Sequence, residues 1–110
     1  MRIHILGICG TFMGSLAVLA AKSGISVSGQ DAKVYPPMST QLMEQGIKIT
    51  DGYELVDLPA DVDLYVIGNV MRRGQPIVEH ILDKHLPYMS GPEFGRTYLY
   101  SIRGIWILPL

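Results

Sequence analysis

Two kinds of residue in this chain could do chemistry. One is a set of glycines spaced to bring a backbone against an anion. The other is a set of polar side chains at the ends of short apolar runs. Gly7-Ile8-Cys9-Gly10-Thr11-Phe12-Met13-Gly14 follows the apolar stretch Ile3-His4-Ile5-Leu6 and precedes Ser15-Leu16-Ala17-Val18-Leu19-Ala20-Ala21. The first run reads as a buried strand and the last as a helix. Strand, glycine-rich turn and helix in that order can bind phosphate. The first N–H groups of a helix lack partners, its N-terminus is partly positive, and glycine lets an anion approach the backbone. The spacing departs from the dinucleotide fingerprint Gly-x-Gly-x-x-Gly. Counted from Gly7, Cys9 takes the second glycine position and Phe12 the third, with Gly10 and Gly14 displaced. Three readings stay open on the residues alone: a variant turn for a phosphate-bearing ligand, an NAD turn, and a tight turn with no ligand.

Further candidates stand at other predicted strand ends. Asp31 closes the second strand, where an acidic residue can accept hydrogen bonds from ribose hydroxyls or simply end a strand. Gly68-Asn69 closes the fourth, and Arg72-Arg73 follows in a loop. The two guanidinium groups suit an anion through charge-assisted hydrogen bonds, or a solvated surface. Cys9 sits at a helix N-terminus, which lowers a thiol pKa. It has no assignable histidine partner, so a small residue that admits a ligand is the better reading. His4 reads as a hydrogen-bonded core residue. His80 and His85 lack metal-ligand spacing. No catalytic constellation is visible, and the acidic stretch 54–61 reads as a solvated surface with room for one helical turn.

The elements that must position these groups alternate between strand and helix. Strands are expected at Ile3–Leu6, Ile25–Gln30, Ile47–Ile49, Asp63–Ile67, Leu86–Met89 and Ile105–Leu108. Helices are expected from Ser15 to about Lys22, from Thr40 to Gln45 with Ser39 as cap, from Pro76, and from Ser90-Gly91-Pro92 to Tyr100. Val34-Tyr35-Pro36-Pro37 must be loop. The fold class is α/β: a Rossmann-like parallel sheet of five to six strands, helices on both faces, strand order near 3-2-1-4-5. The ligand crevice then lies between strands one and four, where Gly7 to Gly14, Asp31 and Gly68 to Arg73 converge.

One hundred and ten residues fit a single domain, with 48% hydrophobic and 17% charged residues. A net charge of −1 argues against a nucleic-acid partner. One cysteine allows no internal disulfide, in keeping with a reducing cytoplasm. A signal peptide over the first 21 residues is disfavoured by the glycines that break the stretch and by His4. No later stretch is apolar enough to span a membrane.

Taken together, four ordered stretches resemble the Mur ligase family, in its muropeptide-ligating branch. They are Gly7 to Gly14, Asp31-Ala32-Lys33-Val34-Tyr35-Pro36-Pro37-Met38-Ser39-Thr40, Ile67-Gly68-Asn69-Val70-Met71-Arg72-Arg73-Gly74, and Pro87-Tyr88-Met89-Ser90-Gly91-Pro92. The resemblance implies a cytoplasmic, three-domain, ATP- and magnesium-dependent ligase of peptidoglycan recycling. Such an enzyme joins UDP-N-acetylmuramate to the tripeptide L-alanyl-γ-D-glutamyl-meso-diaminopimelate through an acyl phosphate. Residues 1–110 would be its UDP-sugar-binding domain. Carried over, the turn comprising Gly7, Cys9, Gly10, Thr11, Phe12 and Met13 would face the diphosphate. Asp31 would lie near the uridine, and Asn69, with Arg72 and Arg73 in its loop, would close over the nucleotide. The family's Gly-x-x-Gly-Lys-Thr loop, which serves ATP, does not occur in these residues, and residues 96–108 match the family poorly. This chain is therefore expected to bind no cofactor and to catalyse no ligation by itself. The alternative reading is a regulatory Rossmann module that senses NAD or an adenine nucleotide. A third is a redox or interaction protein that uses Cys9.

Overall fold

The apolar run at the N-terminus becomes the middle strand of a five-stranded, all-parallel sheet. The computed structural model describes residues 1–100, so the strand expected at Ile105–Leu108 lies outside the described residues. The strands are β1 (Arg2–Leu6), β2 (Ser26–Asp31), β3 (Lys48–Asp51), β4 (Leu64–Ile67) and β5 (Tyr88–Ser90), in the order β3-β2-β1-β4-β5. Between them run α1 (Thr11–Lys22), α2 (Met38–Glu44), a 3₁₀ turn at Leu55–Asp57, and α3 (Pro76–Asp83). After β5, α4 (Gly91–Phe94) continues into wider π-helical turns over Gly95–Tyr100. The α/β class and the strand order agree with the expectation from sequence.

Alternation along β1 and β4 builds two cores. Ile3, Ile5, Leu64 and Val66 face one way and pack with Leu16, Ala17 and Ala20 of α1, Leu42 of α2, and Phe94. Leu6 and Tyr65 face the other way and pack with Ile77, Val78 and Ile81 of α3. Pro76 opens α3 at the position where its missing N–H costs nothing. Ser90 caps α4 by accepting the Glu93 N–H at 3.2 Å.

Several boundaries differ from the sequence reading. α1 begins at Thr11, four residues before the expected Ser15, so Gly14 lies inside the helix and not in the turn. Its lack of a side chain has a packing cause: a Cβ there would stand 2.5 Å from the Met38 sulfur of α2. Ser39 is not the α2 cap; Pro37 holds that position and Ser39 is buried in the first turn. β2 and β3 run on to Asp31 and Asp51, which are paired in register at the sheet edge.

His4 is the buried polar residue of β1. Its Nδ1 lies 2.7 Å from Ser28 Oγ and its Nε2 lies 2.8 Å from Gln30 Oε1. Burial lowers its pKa, against the opposing pull of the Gln30 hydrogen bond. The unfolded chain therefore takes up the proton first, once pH falls below about 6.5. Stability should be flat in this respect above that pH. It should fall below it, by at most about 1.4 kcal/mol per pH unit, until the native pKa is passed. Urea midpoints at pH 7.5 and pH 5 test this: the drop should be smaller in His4→Gln, and an equal drop in both proteins would remove His4 as the cause.

Candidate functional site

The turn after β1 is fixed by β2. The Gln30 carbonyl accepts the N–H groups of Gly7 (2.9 Å) and Ile8 (3.3 Å), and the Asp31 carboxylate accepts that of Cys9 (2.9 Å). Gly7 has φ +80°, a left-handed conformation that L side chains rarely adopt, and a Cβ there would meet Val70 Cγ2 at 2.9 Å. The chain then enters α1 with Gly10 at the cap. No side chain caps the helix and no acidic residue stands in its first turn. The N–H groups of Thr11, Phe12 and Met13 consequently have no intrahelical acceptor, and they carry the positive end of the helix dipole.

A cavity of about 510 Å³ opens beside this helix end. Gly7, Cys9, Gly10 and Thr11 form one wall and Asp31, Ala32 and Lys33 another. Tyr35, the two prolines and Met38 line the side toward α2, and Tyr53 and Val70 complete it. The lining thus joins one cation, Lys33, and two phenol rings to a turn of backbone donors. It can hold an anion at the helix end and a flat or apolar group alongside.

Asp31 is 7% exposed, and both its carboxylate oxygens are engaged. One accepts the Cys9 N–H and the other the Lys33 N–H, each at 2.9 Å. The Tyr53 hydroxyl also faces this carboxylate, as well as the Ala32 N–H. Burial foremost, with Asp31 adding to it, pushes that phenol up to about 12. The Cys9 thiol is pushed up to about 11, chiefly by burial, with Asp31 and Asp51 adding to it. At neutral pH the thiol is protonated, which suits a small lining residue and not a nucleophile.

Of the residues singled out from sequence, the structure brings Gly7, Cys9, Gly10, Thr11 and Asp31 together on the cavity. Met13 reaches the site only through its backbone. Its side chain is buried against Gly68 and Gly91, where a Cβ would stand 3.2 Å and 2.5 Å from its atoms. Phe12 is half exposed at the helix end, and Asn69 is exposed outside the cavity lining. The expected convergence of residues 68–73 on the cavity holds for Val70 alone. Arg72 and Arg73 line a separate shallow depression with Met71 and Tyr88. The Arg73 guanidinium pairs with Glu79 at 2.8 Å, which in turn accepts the Gly74 N–H at 2.7 Å. The reason is local: that loop serves as the N-terminal anchor of α3, which draws both arginines away from the cavity.

Lys33, Tyr35, Met38 and Tyr53 were missed as cavity residues. A signal existed for Tyr53, which follows β3 at the same sheet edge as the other strand ends. For Lys33, Tyr35 and Met38 the signal was the family-like stretch Asp31 to Thr40, of which only Asp31 was read as a site residue.

Among the described residues, no group of histidine, cysteine or acidic side chains could hold a metal ion, and no helix is long and apolar enough to cross a membrane. The described residues do not fit an ATP–magnesium site.

Residues 2–98 match the family model described as Mur ligase family, catalytic domain. The chain is 55% identical over 108 residues to the UDP-N-acetylmuramate–L-alanyl-γ-D-glutamyl-meso-2,6-diaminoheptandioate ligase of Escherichia coli (strain K12), covering 98% of this chain and 23% of that protein. It is 49% identical to the ligase of the same name from Haemophilus influenzae, covering 97% of this chain and 23% of that protein. The crystal structure of a murein peptide ligase from Psychrobacter arcticus superposes with a TM-score of 0.88 at 52% identity, over 92% of this chain and 21% of that one. The chain thus spans about a quarter of the length of these curated relatives. It belongs to the Mur ligase family.

Proposed function

We propose that the cavity at the N-terminus of α1 holds the UDP portion of UDP-N-acetylmuramate. Residues 1–110 are then the UDP-sugar-binding domain of a longer ATP-dependent ligase. That enzyme would join this substrate to L-alanyl-γ-D-glutamyl-meso-diaminopimelate in cytoplasmic peptidoglycan recycling. The observation that carries the reading is the uncapped helix end opening on a cavity of about 510 Å³, in a chain 55% identical to a ligase named for that substrate. The N–H groups of Thr11, Phe12 and Met13 receive the diphosphate, and Lys33 adds a positive charge on the same cavity. Hydrogen bonds to a charged group contribute about 1.5–3 kcal/mol each, and ordering the ligand offsets much of that. ATP and magnesium would be bound elsewhere in the longer protein, so residues 1–110 alone bind substrate without ligating it.

Titration calorimetry with UDP-N-acetylmuramate tests the reading. The expected dissociation constant is roughly 0.1–1 mM, about −4 to −5.5 kcal/mol. UDP should compete, and NADH should not. Absence of heat at millimolar ligand from folded protein would overturn the proposal. NADH binding without any response to UDP-sugars would point instead to a nicotinamide-nucleotide module.

A further inference from the structure

Gln30 is fully buried, and it touches both walls of the cavity. Its backbone carbonyl holds the Gly7 turn through the N–H groups of Gly7 and Ile8. Its side-chain amide reaches the opposite wall: Nε2 donates to the Gly52 carbonyl at 3.2 Å and, more loosely, to that of Glu54 at 3.5 Å. Between those two carbonyls stands Tyr53, whose ring lines the cavity. The amide orientation is set from behind. Both carbonyls need a donor, so Oε1 is left to accept from His4 Nε2–H at 2.8 Å, and Ser28 lies against His4 Nδ1 at 2.7 Å. No buried side-chain polar atom among the described residues is left unpartnered, so the chain Ser28–His4–Gln30–Gly52/Glu54 is closed along its length. A satisfied buried network of this kind holds one geometry, because any displaced member loses a partner in a low-dielectric interior.

We propose that Gln30 is a positioning residue for ligand binding, which clamps the Tyr53 wall at a fixed distance from the Gly7 turn and so sets the width of the cavity. Gln30 does not itself reach the cavity; it acts through Tyr53. This rests on the reading of the cavity as the UDP-sugar site.

The test uses the full chain with Gln30→Met, which keeps the length of the side chain and loses both sets of hydrogen bonds. Gln30→Glu is the second variant. It can still accept from His4 but offers an acceptor where Gly52 and Glu54 need a donor. Without ligand, the ring resonances of Tyr53, assigned through Tyr53→Phe, should move toward random-coil values in both variants. Those of Tyr98, on the other core, should hold. Unmoved Tyr53 resonances in both variants would overturn the proposal. With UDP-N-acetylmuramate, each Gln30 variant should weaken binding about three- to tenfold, and Tyr53→Ala by a similar factor. The double variant Gln30→Met/Tyr53→Ala should bind no worse than Tyr53→Ala. Losses that multiply would show that Gln30 acts independently of Tyr53 and would also overturn it. Should the unaltered chain fail to bind UDP-N-acetylmuramate while Tyr53 moves as described, the substrate reading falls and the positioning role stands.

Discussion

Asp31→Ala should cost about 3 kcal/mol of stability and at least tenfold in affinity for the ligand proposed above, UDP-N-acetylmuramate. The carboxylate is buried at the end of β2 and accepts the N–H groups of Cys9 and Lys33, each at 2.9 Å. Hydrogen bonds to a charged acceptor contribute about 1.5–3 kcal/mol each, and alanine leaves two donors facing a void. The affinity loss follows from the same bonds. Cys9 begins the segment that turns the chain into α1, and Lys33 begins the loop toward Tyr35, so two walls of the cavity lose their common tie. Asp31→Asn should recover part of the stability, because its single carbonyl oxygen still accepts one N–H. Urea denaturation and calorimetry on the two variants check this. An alanine variant within 1 kcal/mol of the parent would show that the carboxylate does not hold the turn.

Phe94→Ala should be more damaging still to the fold, by about 3–5 kcal/mol. Phe94 is fully buried in the core between the sheet and the helices α1 and α2. Its ring lies 5.2 Å from that of Tyr98. Removing it leaves a ring-sized cavity in a domain whose total stability is on the order of 5–15 kcal/mol. The urea midpoint should fall with little change in slope. Val56→Ala, almost wholly exposed in the 3₁₀ turn, is the control and should change stability by less than about 0.5 kcal/mol. Equal losses in the two variants would contradict the core assignment.

What could be read from the residues was whatever depends on local pattern. Ile3–Leu6 and the Gly7 turn announced β1 and its bend, and the spacing of Ile77, Val78 and Ile81 announced α3. The strand order followed from chain geometry. What could not be read depended on distant neighbours. Gly14 resembles a loop glycine until Met38 is placed against it. Ser39 resembles a cap until the Tyr35–Pro37 turn takes over the start of α2. Arg73 resembles an anion ligand until Glu79, six residues on, is seen to hold it. Asp31 was legible as a site residue, but its partners were not, since Cys9 precedes it by 22 positions and Tyr53 follows it by as many. The family resemblance was legible because it rests on ordered motifs and needs no contacts.

The central place of β1 has a consequence for how this chain comes together on the ribosome. Arg2–Leu6 are made before either of the strands they pair with. They pair on one side with β2 from Ser26 onward, but on the other with Leu64–Ile67, more than fifty residues later. Until β4 has been synthesised, this central strand, buried from Ile3 to Leu6 in the finished fold, has one row of backbone donors and acceptors without its native neighbour. Closing that pair is a long-range event with a large loop-closure cost. The nascent chain is therefore most exposed to misassociation during the interval between β2 and β4. His4, a polar residue in the middle of that waiting strand, lowers the apolar character of the segment while its second edge is still open.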